Sequence, residues 1–187
     1  MHIIETMSAV TGLKIHRPYI HTEEVVLPYK KYITFHPVHK KGTRRKYDHW
    51  PEVVKNLKYN ILQIGESDDI DYSKYGIDTT FLDNTNVHQL AYIIKHAQLH
   101  LGYDSLPVHL ASYFKTPIVA LYSQWSSHSY PYFSNNYALI EPNYSKMGIK
   151  PSFHHNDSFN LINYIMPEQV VKEVNKILQR RENAIRN

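Results

Sequence analysis

Short apolar runs alternate with amphipathic stretches along the chain from residue 31 onward, and this pattern limits the choice of fold more than any other. Runs at 32–35, 59–64 and 118–122 have the length and the apolar content of buried strands. The stretch 87–96 between such runs carries apolar residues on one helical face. Strands that alternate with helices favour a parallel sheet, so we predict an α/β fold: a single Rossmann-like three-layer domain with a mostly parallel sheet.

The remaining elements follow from local signals. Proline favours the first turn of a helix, which places helix starts at Pro51 and Pro167, and Thr85 or Asn86 can cap the helix before His96. Further strands are expected at 79–82, 99–101 and 137–140, with a turn at 102–107 and a helix through residue 113. No clear periodicity marks 142–165, which is long for a plain connection and is a candidate functional loop.

The predicted domain does not include the chain ends. Residues 1–31 are expected to form an irregular lead-in, because Pro18 and Pro28 interrupt any regular element. The Rossmann-like domain is expected over 32–181, followed by a frayed charged tail at 182–187.

Composition excludes several classes of protein. The 187 residues contain no cysteine, which excludes disulfides, thiolate metal sites and cysteine nucleophiles. No apolar run approaches the roughly 20 residues that cross a bilayer, and no secretory signal is recognisable, so we expect a cytoplasmic protein without a membrane span. The formal charge of +4 permits an anionic partner.

Three residues near 104 are the first candidate site. In a parallel sheet, ligands bind beyond the carboxyl ends of the strands, and Asp104 and Ser105 lie where a predicted strand passes into a helix. Backbone N–H groups and the helix dipole can receive a phosphate there, and His109 follows about one turn later. In the alternative interpretation, Asp104 and Ser105 cap the helix and His109 is a core histidine.

Two further segments are candidates for the same edge of the sheet. The basic loop 40–46 contains a glycine and follows the first strand, where it suits a diphosphate or is simply a solvated positive loop. Glu66 follows the second strand, where a carboxylate can accept hydrogen bonds from ribose hydroxyls. The neighbouring acids Asp68 and Asp69 leave a hydrated turn as the other interpretation.

The motif Leu-Gly-Tyr-Asp-Ser-Leu-Pro-Val-His-Leu-Ala-Ser at 101–112 is followed at 115–122 by Lys-Thr-Pro-Ile-Val-Ala-Leu-Tyr. These segments resemble the family 9 glycosyltransferases, the ADP-heptose lipopolysaccharide heptosyltransferases. In that family an Asp-Ser/Thr-Gly-x-x-His-x-Ala run precedes a Thr-Pro-x-Val-x-Leu strand. The likeness extends from about residue 32 to 178 and includes His36-Pro37, Trp50-Pro51 and the start of the last helix.

The resemblance implies the carboxyl-terminal, donor-binding half of a GT-B fold. It implies transfer of a sugar from a nucleotide diphosphate sugar, with inversion and without a metal or other cofactor, and His109 as a possible stabiliser of the leaving phosphate. A second chain or a homo-oligomer would then supply the acceptor half. The implied donor-binding residues are Thr43, Arg44, Arg45, Lys46, Glu66, Asp104, Ser105 and His109.

Two departures from the family pattern leave a second function open. Leu106 replaces the glycine of the Asp-Ser-Gly motif, where a side chain could block the phosphate, and Asp48 stands where the family keeps a Lys or Arg. With no acceptor half in evidence, the alternative is a catalytically inactive nucleotide-binding or assembly module that kept the fold.

Other functions have weaker support. The cations of 40–46 lie near Tyr47 and Trp50, as in grooves that bind nucleic acid strands, but the tyrosines scatter along the chain and we expect no nucleic acid partner. No His-Glu-x-x-His motif, Gly-x-Ser-x-Gly motif or dinucleotide fingerprint occurs, so we expect no metal site, serine hydrolase or dehydrogenase.

Overall fold

Six parallel strands form one sheet whose order is 3-2-1-4-5-6. A computed structural model describes residues 1–37, 46–123, 126–148 and 161–186. The strands are Ile33–His36 (β1), Ile61–Ile64 (β2), Thr80–Leu82 (β3), Leu99–Tyr103 (β4), Ile118–Leu121 (β5) and Tyr137–Ile140 (β6). Every neighbouring pair runs parallel, with Ile33 opposite both Ile61 and Leu99 in the central register. This order is that of a Rossmann fold, as the alternation of apolar and amphipathic segments predicts.

Helices cover both faces of the sheet. They are Ile3–Thr11 (α1), Trp50–Lys55 (α2), Val87–His96 (α3), Leu106–Phe114 (α4), Ser126–Ser129 (α5), Tyr144–Met147 (α6) and Pro167–Arg186 (α7). Short 3-10 turns occur at Tyr72–Tyr75 and Leu161–Tyr164. None of the described helices is both long enough and apolar enough to cross a membrane.

Alternate residues of each strand build two separate cores, because successive side chains of a strand point to opposite faces. On one face, α2 and α7 pack against residues such as Ile33, Phe35 and Leu101. On the other face, α3 and α4 pack against residues such as Leu62 and Ala120. The predicted three-layer architecture is therefore confirmed.

A buried tyrosine at the end of β4 fixes the start of α2. The Tyr103 hydroxyl oxygen accepts hydrogen bonds from the Tyr47 amide at 2.7 Å and from the Trp50 indole nitrogen at 2.9 Å. Pro51 occupies the first turn of α2, where its missing N–H costs nothing. The segment that enters α2 is thereby tied to the carboxyl end of β4.

The turn predicted at 102–107 is wrong at its beginning, because Gly102 and Tyr103 belong to β4. A Cβ atom on Gly102 would lie 2.9 Å from the backbone oxygen of His36, so glycine permits the close approach of β1 and β4. This glycine therefore serves strand pairing, and the chain turns only at 104–105.

The two chain ends are more regular than predicted. The expected irregular lead-in contains α1, which His2 begins with a reciprocal capping box to Glu5, and 12–31 has no helix or strand. The expected frayed tail continues α7 as far as Arg186. Arg181 holds this helix to the body by donating to the Gln98 carbonyl at 2.7 Å. The domain boundaries at 31 and 181 stay a prediction.

Candidate functional site

The candidate site lies at the carboxyl edge of the sheet, between β1 and β4, where the order of the strands reverses. From β1 the chain continues to β2 on one side, and β4 pairs with the other side of β1. Such a switch point leaves a crevice above the strand ends, where ligands of open α/β sheets bind. His36 ends β1 at this crevice, and Asp104 and Ser105 follow β4 beside it.

Asp104 is the centre of a polar cluster. One of its carboxylate oxygens lies 3.4 Å from Nε2 of His109, which projects from α4, and the other accepts a hydrogen bond of 2.8 Å from the Ser129 hydroxyl. The Tyr122 hydroxyl, directly after β5, donates to the Ser129 carbonyl at 3.1 Å and so holds α5 beside the cluster. Side chains from α4 and α5 therefore converge on the Asp104 carboxylate, which itself follows β4.

His109 is not a core histidine, because its side chain is 44% exposed. Its ring meets solvent on one side and the Asp104 carboxylate on the other. An imidazole placed in this way can donate a hydrogen bond to an anion at the open mouth of the crevice.

Ser105 occupies the N-cap position of α4, but its side chain makes no capping hydrogen bond. Its hydroxyl instead donates to the Tyr103 carbonyl at 3.1 Å and lies 3.2 Å from Nδ1 of His36. The interpretation of Ser105 as a side-chain cap is therefore wrong. The Ser105 side chain therefore does not occupy the amides of the first turn of α4, which form the positive end of the helix dipole.

Leu106 begins α4 with more than half of its surface exposed, so it does not fill a buried hollow. Its backbone is not left-handed, because the only described non-glycine residues with positive φ are Asn84 and Lys115. The conformation at this position therefore does not require a glycine.

The structure also places an unpredicted histidine against Tyr130, the residue that follows Ser129 of the cluster. His2 is 1% exposed, its ring lies against Tyr130 and Tyr132, and its Nε2 is 3.0 Å from the Tyr130 carbonyl oxygen. Burial lowers the pKa of His2, the hydrogen bond to Tyr130 opposes this shift, and the charges of His109 and Asp104 also reach the ring. No motif surrounds His2, so the sequence carries no signal for this position.

Two of the predicted donor residues contact other groups. The Lys46 ammonium lies 3.2 Å from the Asp48 carboxylate, and both side chains are largely exposed. Glu66 is exposed after β2, and its amide donates to the Asp69 carboxylate at 2.7 Å. Thr43, Arg44 and Arg45 lie outside the described residues.

Within the described part of the chain, no three His, Asp or Glu side chains are grouped so that they could hold a metal ion. Among the described residues, the Asp104 carboxylate and the His109 ring form a pair whose nearest atoms are 3.4 Å apart.

The strand order and the polar groups at the switch point define a Rossmann-like α/β domain. Residues 8–162 match the family model of glycosyltransferase family 9 (heptosyltransferase). Because this match covers most of the chain, the protein belongs to that family.

Individual relatives agree with this assignment. Lipopolysaccharide heptosyltransferase 3 of Escherichia coli strain K12 is 29% identical over 102 residues, which are 54% of this chain and 29% of that protein. The structure of ADP-heptose lipopolysaccharide heptosyltransferase II of Escherichia coli is similar with a TM-score of 0.63 at 20% identity, over 84% of this chain and 49% of that one.

A family 9 glycosyltransferase structure from Veillonella parvula has a TM-score of 0.64 at 17% identity, over 80% of this chain and 46% of that one. At these identities the structural likeness establishes the fold alone. The chain spans about half the length of the solved relatives that it matches.

Proposed function

We propose that this chain binds a nucleotide diphosphate sugar at the carboxyl edge of its sheet and acts as the donor-binding half of a heptosyltransferase-type glycosyltransferase. The observation that carries the proposal is the cluster of Asp104, His109 and Ser129 at the start of α4, in a chain of family 9. The cluster faces the crevice in which open α/β sheets bind their ligands.

Each group has a role that its chemistry supports. The amino end of α4 and the His109 ring receive the diphosphate, and Asp104 orients that ring through the contact of 3.4 Å. Ser105 completes the wall of the crevice beside His36. The loop with Thr43, Arg44, Arg45 and Lys46 adds positive charge, and Glu66 accepts from the ribose hydroxyls.

Transfer in this proposal inverts the anomeric carbon. The acceptor hydroxyl attacks that carbon while the bond to the diphosphate breaks, and the hydroxyl proton passes to a carboxylate of the acceptor half. The leaving diphosphate carries new negative charge, which basic side chains and a helix terminus stabilise without a metal ion.

The acceptor half is supplied by another polypeptide, by a second copy, or by a further part of a longer protein. The match to only about half of each solved relative supports this part of the proposal. Addition of an acceptor-half protein should therefore be needed before the purified chain turns over a nucleotide sugar. Turnover by the chain alone, with stoichiometric release of nucleotide diphosphate, would refute the requirement.

Calorimetric titration with ADP-heptose and with UDP-glucose tests donor binding. Asp104→Asn should weaken binding of the preferred donor by about tenfold, because a neutral amide orients the His109 ring less firmly than a carboxylate does. Glu173→Gln, which removes one carboxylate from α7, is the matched control and should bind like the parent protein. Silence of the parent protein toward both donors at millimolar concentration would refute the proposal.

The second candidate function is an inactive nucleotide-binding or assembly module, and Leu106 is the observation that favours it. If its side chain restricts the phosphate, Leu106→Gly should raise donor affinity. An increase in affinity without any turnover in the presence of an acceptor half would favour the inactive module over the transferase.

A further inference from the structure

A second cleft lies at the opposite edge of the sheet from Asp104. It has a volume of about 840 Å³ and is formed by the segments that precede β1, β2, β3 and β4 and by the last turns of α7. This volume is in the range of small-molecule sites in proteins. The amino ends of parallel strands lie at the far edge from their carboxyl ends, so this cleft is separate from the proposed donor site.

The cleft is positively charged. Its walls carry the cations of Lys30, Lys31, Lys58 and Arg181 and the carboxylates of Asp78 and Glu182, which leaves an excess of two positive charges. The whole chain has a formal net charge of +4, so the net charge of the cleft equals half of the net charge of the chain. Charge of one sign in a concave surface raises the local concentration of the opposite ion.

Three of these cations have no partner within the described part of the chain. No hydrogen bond or ion pair engages the ammonium groups of Lys30, Lys31 and Lys58, which are exposed. Arg181 differs, because its guanidinium donates to the carbonyls of Gln98 and Ala97 at 2.7 and 3.4 Å. The cleft therefore combines one fixed guanidinium with three ammonium groups free to bind.

The partial negative charge of helix ends does not account for these lysines. The carboxyl ends of α2 and α3 lie at the same edge, but each last turn already carries its own lysine, Lys55 in α2 and Lys95 in α3. Neither of these two lines the cleft, whereas Lys30, Lys31 and Lys58 are on connections outside the helices.

The floor of the cleft is apolar. Leu57 and Leu178 are 7% and 2% exposed and contribute to the floor, and Tyr59 adds a half-buried ring. We propose that this cleft binds an organic phosphate, with its phosphate oxygens on the three lysines and its carbon part on the floor. Ammonium groups bind phosphate as charge-assisted donors, and the leucines remove apolar surface of the ligand from water.

Two probes separate the sources of such a phosphate. Inorganic pyrophosphate represents a free phosphate compound, and vesicles of phosphatidylcholine with and without phosphatidylglycerol represent a lipid headgroup. Amide resonances of Tyr59, Asn60 and Gln98 report on the cleft, and those of Asp104 and His109 report on the donor site. A failure of phosphate binding in the cleft is therefore distinguishable from a failure of donor binding at the carboxyl edge.

The variant Lys30→Gln/Lys31→Gln/Lys58→Gln tests the lysines. Its matched control is Lys14→Gln/Lys146→Gln/Lys172→Gln, which removes the same charge from exposed positions outside the cleft. The cleft variant should weaken binding of at least one probe by about tenfold or more, and the control by no more than about twofold. The probe that responds identifies the source of the phosphate.

The proposal is overturned if neither probe shifts the cleft resonances and the protein does not sediment with the anionic vesicles. It is also overturned if the cleft variant and the control variant lose binding equally, since the effect would then follow net charge alone. Circular dichroism of both variants checks that the parent fold is kept.

Discussion

His100 lies in the middle of β4 with its imidazole fully buried. Its Nδ1 is 3.0 Å from the Thr34 hydroxyl, and its Nε2 has no hydrogen-bond partner among the described residues. Burial and, to a smaller extent, the charge of His36 lower the pKa of His100 to about 3. The ring is therefore neutral in the folded protein at neutral pH.

This buried ring predicts a dependence of stability on pH. The unfolded chain takes up a proton on His100 near pH 6.5, whereas the folded chain does so only near pH 3. Because the unfolded state binds more protons between these values, the free energy of unfolding should fall as the pH is lowered from about 6.5 toward 3. The contribution of one such group reaches about 1.4 kcal/mol per pH unit.

Urea unfolding between pH 7 and 4.5 measures this slope. In His100→Asn the amide can still bond Thr34, and the slope should fall by up to about 1.4 kcal/mol per pH unit, the value for one proton. The control His88→Asn changes an exposed histidine and should leave the slope nearly unchanged. The NMR signals of the His100 ring should stay at their neutral position down to pH 4.5. Movement of those signals near pH 6.5 would contradict the account of burial.

At the scale of elements, periodicity predicted most strands and helices of the domain but neither their order nor their ends. An apolar run identified β5, because a parallel strand buried on both faces is apolar along its whole length, and mainly apolar runs identified β2 and β6. The sequence predicts a turn at Gly102, since it does not reveal that the absence of a side chain there allows β1 to approach closely. Such an approach depends on residues remote in the chain.

The same limit applies to the site. Asp104 and His109 were predictable because one strand end and the following helix carry both. Ser129 is 25 residues from Asp104, and His2 packs against Tyr130 from the amino terminus, so no local pattern connects either to the cluster. The sequence also left the cap of α3 open between Thr85 and Asn86.

The structure assigns that cap to Asn86. Its side-chain oxygen accepts from the amides of His88 and Gln89 at 2.8 and 2.9 Å, and the Gln89 side chain accepts from the Asn86 amide in return. Asn86→Ala should lower the free energy of unfolding by about 1 kcal/mol, because exposed amides of the first turn lose their acceptor. Thr85→Ala, one residue earlier, is the control and should cost clearly less in urea unfolding.

At the scale of the whole molecule, the sheet separates two charged regions. The loops after the strands carry the Asp104 cluster and the predicted donor residues, and the connections before the strands carry the lysines of the second cleft. Between these regions, the central strands β1, β2, β4 and β5 are almost entirely buried. A ligand at one edge therefore has no direct contact with groups at the other edge.

Donor binding at the carboxyl edge should stabilise the entire domain, since a ligand that binds only the folded state raises its free energy of unfolding. At a free donor concentration of 100 times the Kd the gain is about 2.7 kcal/mol. For a chain of this size, that gain raises the Tm by roughly 5 to 10 °C. Thermal unfolding with increasing ADP-heptose measures the effect, and Asp104→Asn should require about tenfold more ligand for the same rise.

The triple lysine variant of the second cleft should keep the full rise in Tm with ADP-heptose, because its side chains lie at the opposite edge of the sheet. Loss of the rise in this variant would show that the two edges are coupled or that the donor occupies the wrong edge. Retention of the rise, together with its reduction in Asp104→Asn, places the donor among the loops that follow the strands and leaves the basic cleft to a different ligand.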